Sequence, residues 1–160
     1  MTDDIFILAA DVGRALHNKA LVLATAESCT GGGAAQAITD VAGSSGWFDC
    51  GFVTYSNTAK TALLDVPAEL IASHGAVSEE VAAAMAQGAL SNSTAHVALA
   101  TTGIAGPGGA VPGKPVGTVC FGWSKGGATR TETQVFAGDR QAVREQAVAH
   151  ALAGLLRFID

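Results

Sequence analysis

Three short, almost uninterrupted apolar runs, each ending in a loop of small and polar residues, constrain this chain more than anything else in it. Leu21–Ala26 (LVLATA) opens into ESCTGGG, Trp47–Tyr55 (WFDCGFVTY) into SNTAK, and His96–Thr102 (HVALATT) into GIAGPGGAVPGKP. Apolar runs of strand length without polar alternation suit strands buried on both faces. Helical patterns lie between them. Ile5, Leu8, Val12, Ala15 and Leu16 recur at helical spacing, and a helix through AAQAITD follows the first loop. Ser56 suits the cap of NTAKTALL, Pro67 the first turn of PAELIASH, and Ser78 the cap of a helix through VAAAMAQGAL that carries Glu79 and Glu80 in its first turn. Val116–Trp123 and Ala128–Phe136 read as a hairpin across SKGG. The polar alternation Arg130, Glu132, Gln134 in its second arm suits an edge strand. Asp139 caps a last helix whose core stripe is Val143, Ala147, Ala151, Leu152 and Leu155. The predicted architecture is one α/β domain over residues 1–160, with a mixed, largely parallel sheet and helices on both faces.

Charge narrows the function classes. Of 160 residues only 14% are charged, below the roughly 25% of an ordinary domain, while 49% are hydrophobic. Scarce charge and abundant Ala, Val and Leu suggest extra buried surface, so a homo-oligomer is expected. Nine Lys and Arg and a net charge of −5 leave no basic cluster to track a phosphate backbone, which argues against nucleic acid as a partner. No apolar run approaches the ~20 residues of a membrane span. The acidic start, MTDD, opens an amphipathic helix rather than a signal peptide. Three widely spaced cysteines, Cys29, Cys50 and Cys120, fit reduced thiols, so a cytoplasmic location is expected.

If the three apolar strands run parallel, their three loops line one crevice at the carboxyl edge of the sheet, where open α/β sheets bind ligands. Ser28 leaves the first strand at a glycine-rich turn whose backbone amides suit a developing oxyanion. It equally suits a helix cap, and the local sequence does not choose. Cys29 is the rival nucleophile, since a thiol near a helix N-terminus has a lowered pKa; the alternative is a small side chain packed under the loop. Of His17, His74, His96 and His150, none belongs to the three loops, so a Ser-His-Asp triad is poorly supported. Lys60 lies one turn into the helix after the second run. Desolvated there, it becomes a neutral base for Ser28, and a hydrogen-bonded Ser28–Lys60 pair is expected; the ordinary alternative is a solvated lysine. Tyr55 suits a proton relay or a hydrogen bond to the pair. Gly108–Lys114 has Walker A spacing, but Pro115 stands where Ser or Thr must hold magnesium. Gly31–Gly33 lacks dinucleotide-fingerprint spacing, and no Cys/His spacing suggests a metal site.

AESCTGG at Ala26–Gly32, GFVTYSNTAK at Gly51–Lys60, HGAVSEEVA at His74–Ala82, and TGIAGPGG followed by KPVGTV together resemble the CinA carboxy-terminal domain family over nearly the whole chain, in order. The resemblance implies a three-layer α/β/α sandwich. It also implies an amidohydrolase that converts nicotinamide mononucleotide and water to nicotinic acid mononucleotide and ammonia in the pyridine-nucleotide cycle; because the chain carries no ligand cluster, activity without metal or cofactor is expected. Carried over by motif, Ser28 is the nucleophile, Lys60 its base and Tyr55 an assisting group. Substrate contacts are expected from Cys29, Thr30, Gly31 and Gly32 in the first loop and from Thr102, Gly103, Ile104, Ala105 and Gly106 in the third. Arg140 or Arg144, a helix N-terminus or a glycine loop is left to meet the phosphate. Gly109–Lys114 is richer in glycine than in many relatives, so contacts there are not carried over. The alternative is a non-catalytic nucleotide-binding or protein-interaction module, which needs no nucleophile and base together.

Overall fold

The computed structural model describes the whole chain, Met1–Asp160. In chain order its elements are α1 (Asp3–Lys19), β1 (Leu23–Glu27), α2 (Gly33–Thr39), a short 3-10 turn (Ser44–Gly46), β2 (Phe48–Val53), α3 (Asn57–Leu64), α4 (Ala68–His74), α5 (Glu79–Ser91), β3 (Val97–Gly103), β4 (Thr118–Lys125), β5 (Ala128–Val135) and α6 (Arg140–Ile159). The five strands form one sheet in the order β2-β1-β3-β4-β5. β2, β1 and β3 are parallel, whereas β4 and β5 are antiparallel additions. The predicted α/β architecture, its mixed sheet and the edge position of β5 are all borne out.

Strand alternation divides the core. Leu23, Val97 and Leu99 point to one face, where α1, α2 and α6 supply Leu16, Ile38, Ala147, Leu152 and Leu155. Ala24, Ala26, Ala98 and Ala100 point to the other, beneath Val81, Met85, Ala86 and Ala89 of α5. The second layer is made of small side chains because α5 lies close against the sheet. A Cβ on Gly122 would stand 2.5 Å from the Ala82 carbonyl oxygen, so only glycine fits there. The alanine-rich composition is used in this helix–sheet contact.

β1 feeds β2 on one side, and β3 then returns on the other. The chain therefore reverses direction across the sheet at β1, and the loops leaving β1 and β3 part there. Such a switch point is where an open α/β sheet leaves a crevice.

Several predicted boundaries shift. Glu27, read as the start of a loop, is the last residue of β1, and the ladder extends past it through a bond from the Ser28 amide to the Thr101 carbonyl at 3.0 Å. The second strand ends at Val53 rather than Tyr55; the Thr54 amide still bonds the Glu27 carbonyl at 2.8 Å, but Tyr55 turns outward. The hairpin begins at Thr118 and reaches Lys125, because β4 is held by its antiparallel register against β3 as well as by its turn. Ser28 does not cap α2. The N-cap is Gly32, and the Glu27 carboxylate receives the free amides of that helix instead. No helix is long and apolar enough to cross a membrane.

Candidate active site

Each wall of the crevice is built by a separate strand end. β1 delivers Ser28, 7% exposed, followed by the turn Cys29–Gly32. Gly31 and Gly32 adopt φ of +60° and +98°, a left-handed region that favours glycine. Beyond β2, Ser56 caps α3 by accepting the Ala59 amide at 3.0 Å. That start of α3 sets Lys60 facing the sheet, 1% exposed. β3 delivers Thr102–Gly106, with the Thr102 hydroxyl donating to the Ala76 carbonyl at 2.8 Å.

These parts meet at Ser28. Lys60 Nζ lies 3.1 Å from Ser28 Oγ and 3.3 Å from the Tyr55 carbonyl oxygen, and Ser28 Oγ donates to that same carbonyl at 3.4 Å. Lys60 makes no ion pair with any carboxylate. Burial is therefore uncompensated and pushes its pKa below the ordinary lysine value. A buried amine that favours its neutral form, within reach of a hydroxyl, is equipped to accept that proton.

The tyrosine takes a different place from the one its motif suggests. Its ring is exposed, its hydroxyl accepts a bond from Arg140 Nη2 at 3.1 Å, and its main-chain carbonyl, not its side chain, touches the Ser28–Lys60 pair. Arg140 also donates to the Gly106 carbonyl at 2.8 Å. It thus bridges the second and third walls at the mouth of a crevice of about 250 Å³.

Of the residues singled out by sequence, Ser28, Cys29, Tyr55, Lys60, Thr102, Gly103, Ile104, Ala105, Gly106 and Arg140 line this crevice together. Thr30, Gly31, Gly32 and Arg144 do not. The Thr30 hydroxyl is committed to Glu27 Oε1 and Thr101 Oγ1, and Arg144 lies behind the loop on the carbonyls of Cys29 and Thr30. The Gly31 amide is taken by the Ser28 carbonyl at 3.0 Å, whereas the amides of Cys29, Thr30 and Gly32 have no acceptor; those of Cys29 and Thr30 directly follow Ser28.

Glu27 was missed by sequence reasoning. Its carboxylate is fully buried and accepts from the Thr30 hydroxyl at 2.5 Å and from the amides of Ala34 and Ala35 at 2.8 and 3.1 Å. It ties the strand, the turn and α2 into one unit. The only sequence signal was a carboxylate directly after an apolar run and four residues before Gly31. Asn57 and Val77 also line the crevice without having been singled out.

Cys29 packs under the loop, and burial pushes its thiol up to about 12. The expected result of brief iodoacetamide treatment near pH ~8, read by peptide mapping of the folded protein, is an unmodified Cys29. Rapid alkylation there would reveal a thiolate and reinstate it as a nucleophile. No group of three or more His, Cys, Asp or Glu side chains is arranged to hold a metal ion.

Comparison with known proteins adds the following. The sequence model of the CinA C-terminal domain matches residues 6–159. The nicotinamide-nucleotide amidohydrolase PncC of Pseudomonas putida is 52% identical over 156 residues, covering 98% of both chains. A CinA-like protein of Akkermansia muciniphila is 54% identical over 142 residues; these span 88% of this chain but 34% of that longer protein. Among solved structures, the competence/damage inducible protein CihA from Agrobacterium tumefaciens superposes with a TM-score of 0.97 at 41% identity, over 100% of this chain and 98% of that one.

Proposed function

The chain belongs to the CinA C-terminal domain family, and we propose that it is an amidohydrolase that converts nicotinamide mononucleotide and water to nicotinic acid mononucleotide and ammonia, through an acyl-enzyme on Ser28. The observation that carries this reading is the unpaired, buried Lys60 amine 3.1 Å from Ser28 Oγ. It is supported by the name of a relative of nearly the same length, the nicotinamide-nucleotide amidohydrolase of P. putida.

In the first half-reaction Ser28 Oγ attacks the carboxamide carbon while its proton passes to neutral Lys60. The carbonyl π pair moves onto oxygen, and the amides of Cys29 and Thr30 receive the oxyanion. One such donor contributes about 3–4 kcal/mol of barrier reduction. As the tetrahedral species collapses, the C–N bond breaks and the Lys60 ammonium protonates the departing nitrogen, which leaves as ammonia. In the second half-reaction Lys60 takes a proton from water as the water oxygen attacks the ester. The second collapse expels Ser28 Oγ, which recovers its proton from Lys60. The Tyr55 carbonyl orients both partners. Arg140, at the mouth and without a carboxylate partner, is the cation we assign to the phosphate, with the Gly106–Gly109 loop beside it.

The purified chain mixed with nicotinamide mononucleotide in EDTA is expected to release ammonia and nicotinic acid mononucleotide in equal amounts. Binding of the nucleotide with no ammonia release would instead indicate a non-catalytic module. Activity lost in EDTA and restored by zinc would require a different mechanism.

A further inference from the structure

Arg144 is half-buried, lies outside the crevice, and forms no ion pair with any carboxylate. Its hydrogen bonds go to main-chain oxygens of the turn after Ser28, Nε to the Cys29 carbonyl at 3.1 Å and Nη2 to the Thr30 carbonyl at 3.4 Å. In a trans peptide the C=O and N–H of one unit point in opposite directions. Drawing the Cys29 oxygen toward Arg144 therefore turns the Thr30 N–H away from it. The Ser28 oxygen is held in turn by the Gly31 amide, which fixes the unit bearing the Cys29 N–H. The outcome is a turn whose three carbonyls are all engaged, Ser28 by the Gly31 amide, Cys29 by Arg144, and Thr30 by Arg144 and the Gly33 amide, while the Cys29 and Thr30 amides have no acceptor within the chain.

We infer that Arg144 is a positioning residue for the reaction: its guanidinium holds the Cys29–Thr30 peptide unit so that the free Thr30 amide, beside that of Cys29, and not the Cys29 carbonyl, meets the oxyanion. A carbonyl turned toward the oxyanion would repel it. The cation behind the carbonyls also polarises the amides and makes them stronger donors. The turn approaches Arg144 so closely that a Cβ on Gly31 would stand 3.1 Å from Nη2. This inference rests on the proposed Ser28 acyl-enzyme and assigns Arg144 neither to the phosphate nor to any direct contact with substrate.

The test compares wild type, Arg144→Met and Arg144→Lys in the full chain, with three readouts. They are steady-state kinetics on nicotinamide mononucleotide, affinity for the product nicotinic acid mononucleotide, and affinity for pyridine-3-boronic acid. Boron accepts an electron pair from Ser28 Oγ as the proton passes to Lys60, giving a tetrahedral anion that resembles the transition state. Arg144→Met is expected to lose kcat by about a hundredfold, with KM and product affinity within about twofold. Boronate affinity should fall by about the same factor as kcat. Arg144→Lys, which keeps the charge and one donor, should recover part of both losses. A raised KM with unchanged kcat would overturn the inference by assigning Arg144 to substrate binding. Parallel loss of product and boronate affinity would overturn it by reducing Arg144 to a structural role. If Arg144→Met does not fold, the same split between kcat and KM, read on Arg144→Lys, decides. A wild-type chain that neither releases ammonia nor binds the boronate would remove the underlying reading and this inference with it, whereas an active wild type with an unaffected Arg144→Met contradicts the inference alone.

Discussion

Ser28→Ala is expected to abolish turnover of nicotinamide mononucleotide while leaving the protein folded and able to bind the nucleotide. No other hydroxyl or thiol is hydrogen-bonded to Lys60. Removing either member of a nucleophile–base unit typically costs about 10⁴- to 10⁶-fold in kcat. The fold has little to lose. Ser28 caps no helix, its main-chain bond to Thr101 survives, and the hydroxyl contributes only its weak bond to the Tyr55 carbonyl and its contact with Lys60. A lost bond of that kind costs about 1 kcal/mol, so the melting curve should barely move. Cys29→Ala, in contrast, should keep most of the activity, because its thiol is buried and strongly protonated. The opposite pattern, with Ser28→Ala active and Cys29→Ala dead at unchanged stability, would make this a thiol hydrolase.

Lys60→Met is expected to be as inactive as Ser28→Ala yet more stable than wild type. The amine is 1% exposed and has no counter-ion, so its charged form is destabilised and its pKa lies below 10.5. The unfolded chain then binds the lysine proton more tightly than the folded one. In wild type, this group's contribution to stability therefore rises with pH between the lowered folded pKa and the ordinary unfolded one. Below the folded pKa its full cost is present, and near 10.5 the cost is gone. Thermal melts of both proteins across this range should show the largest advantage of Lys60→Met on the acidic side, shrinking as pH rises. The kcat/KM of wild type should climb through the same lowered pKa, because only the neutral amine accepts the Ser28 proton. A variant less stable than wild type at every pH would mean that Lys60 is charged and compensated in the fold.

The sequence carried the elements well and the contacts between them unevenly. Strands buried on both faces announce themselves as short apolar runs, and Ser56, Ser78 and Asp139 cap their helices as read from local pattern. The order β2-β1-β3 was not legible, because nothing local states on which side of β1 the chain returns. The Ser28–Lys60 approach was within reach of sequence reasoning, since both residues leave strand ends on one edge. Glu27 was not: a carboxylate beside a turn reads as solvated until the amides of α2 are seen to surround it. Nor could local pattern give Arg144 its partners, which lie 115 and 114 residues away in the chain. Tyr55 shows a further gap. A motif names a side chain, but here the main-chain carbonyl faces the chemistry while the ring turns to Arg140.

The central claim, an acyl group carried by Ser28, is tested most directly by acid-quenching wild-type protein during its first turnovers with nicotinamide mononucleotide and sequencing the peptide that contains Ser28 and Cys29 by tandem mass spectrometry. The predicted result is the nicotinoyl mononucleotide ester on Ser28, absent from Ser28→Ala. An acyl group on Cys29, or full ammonia production with neither residue modified at any quench time, would contradict it.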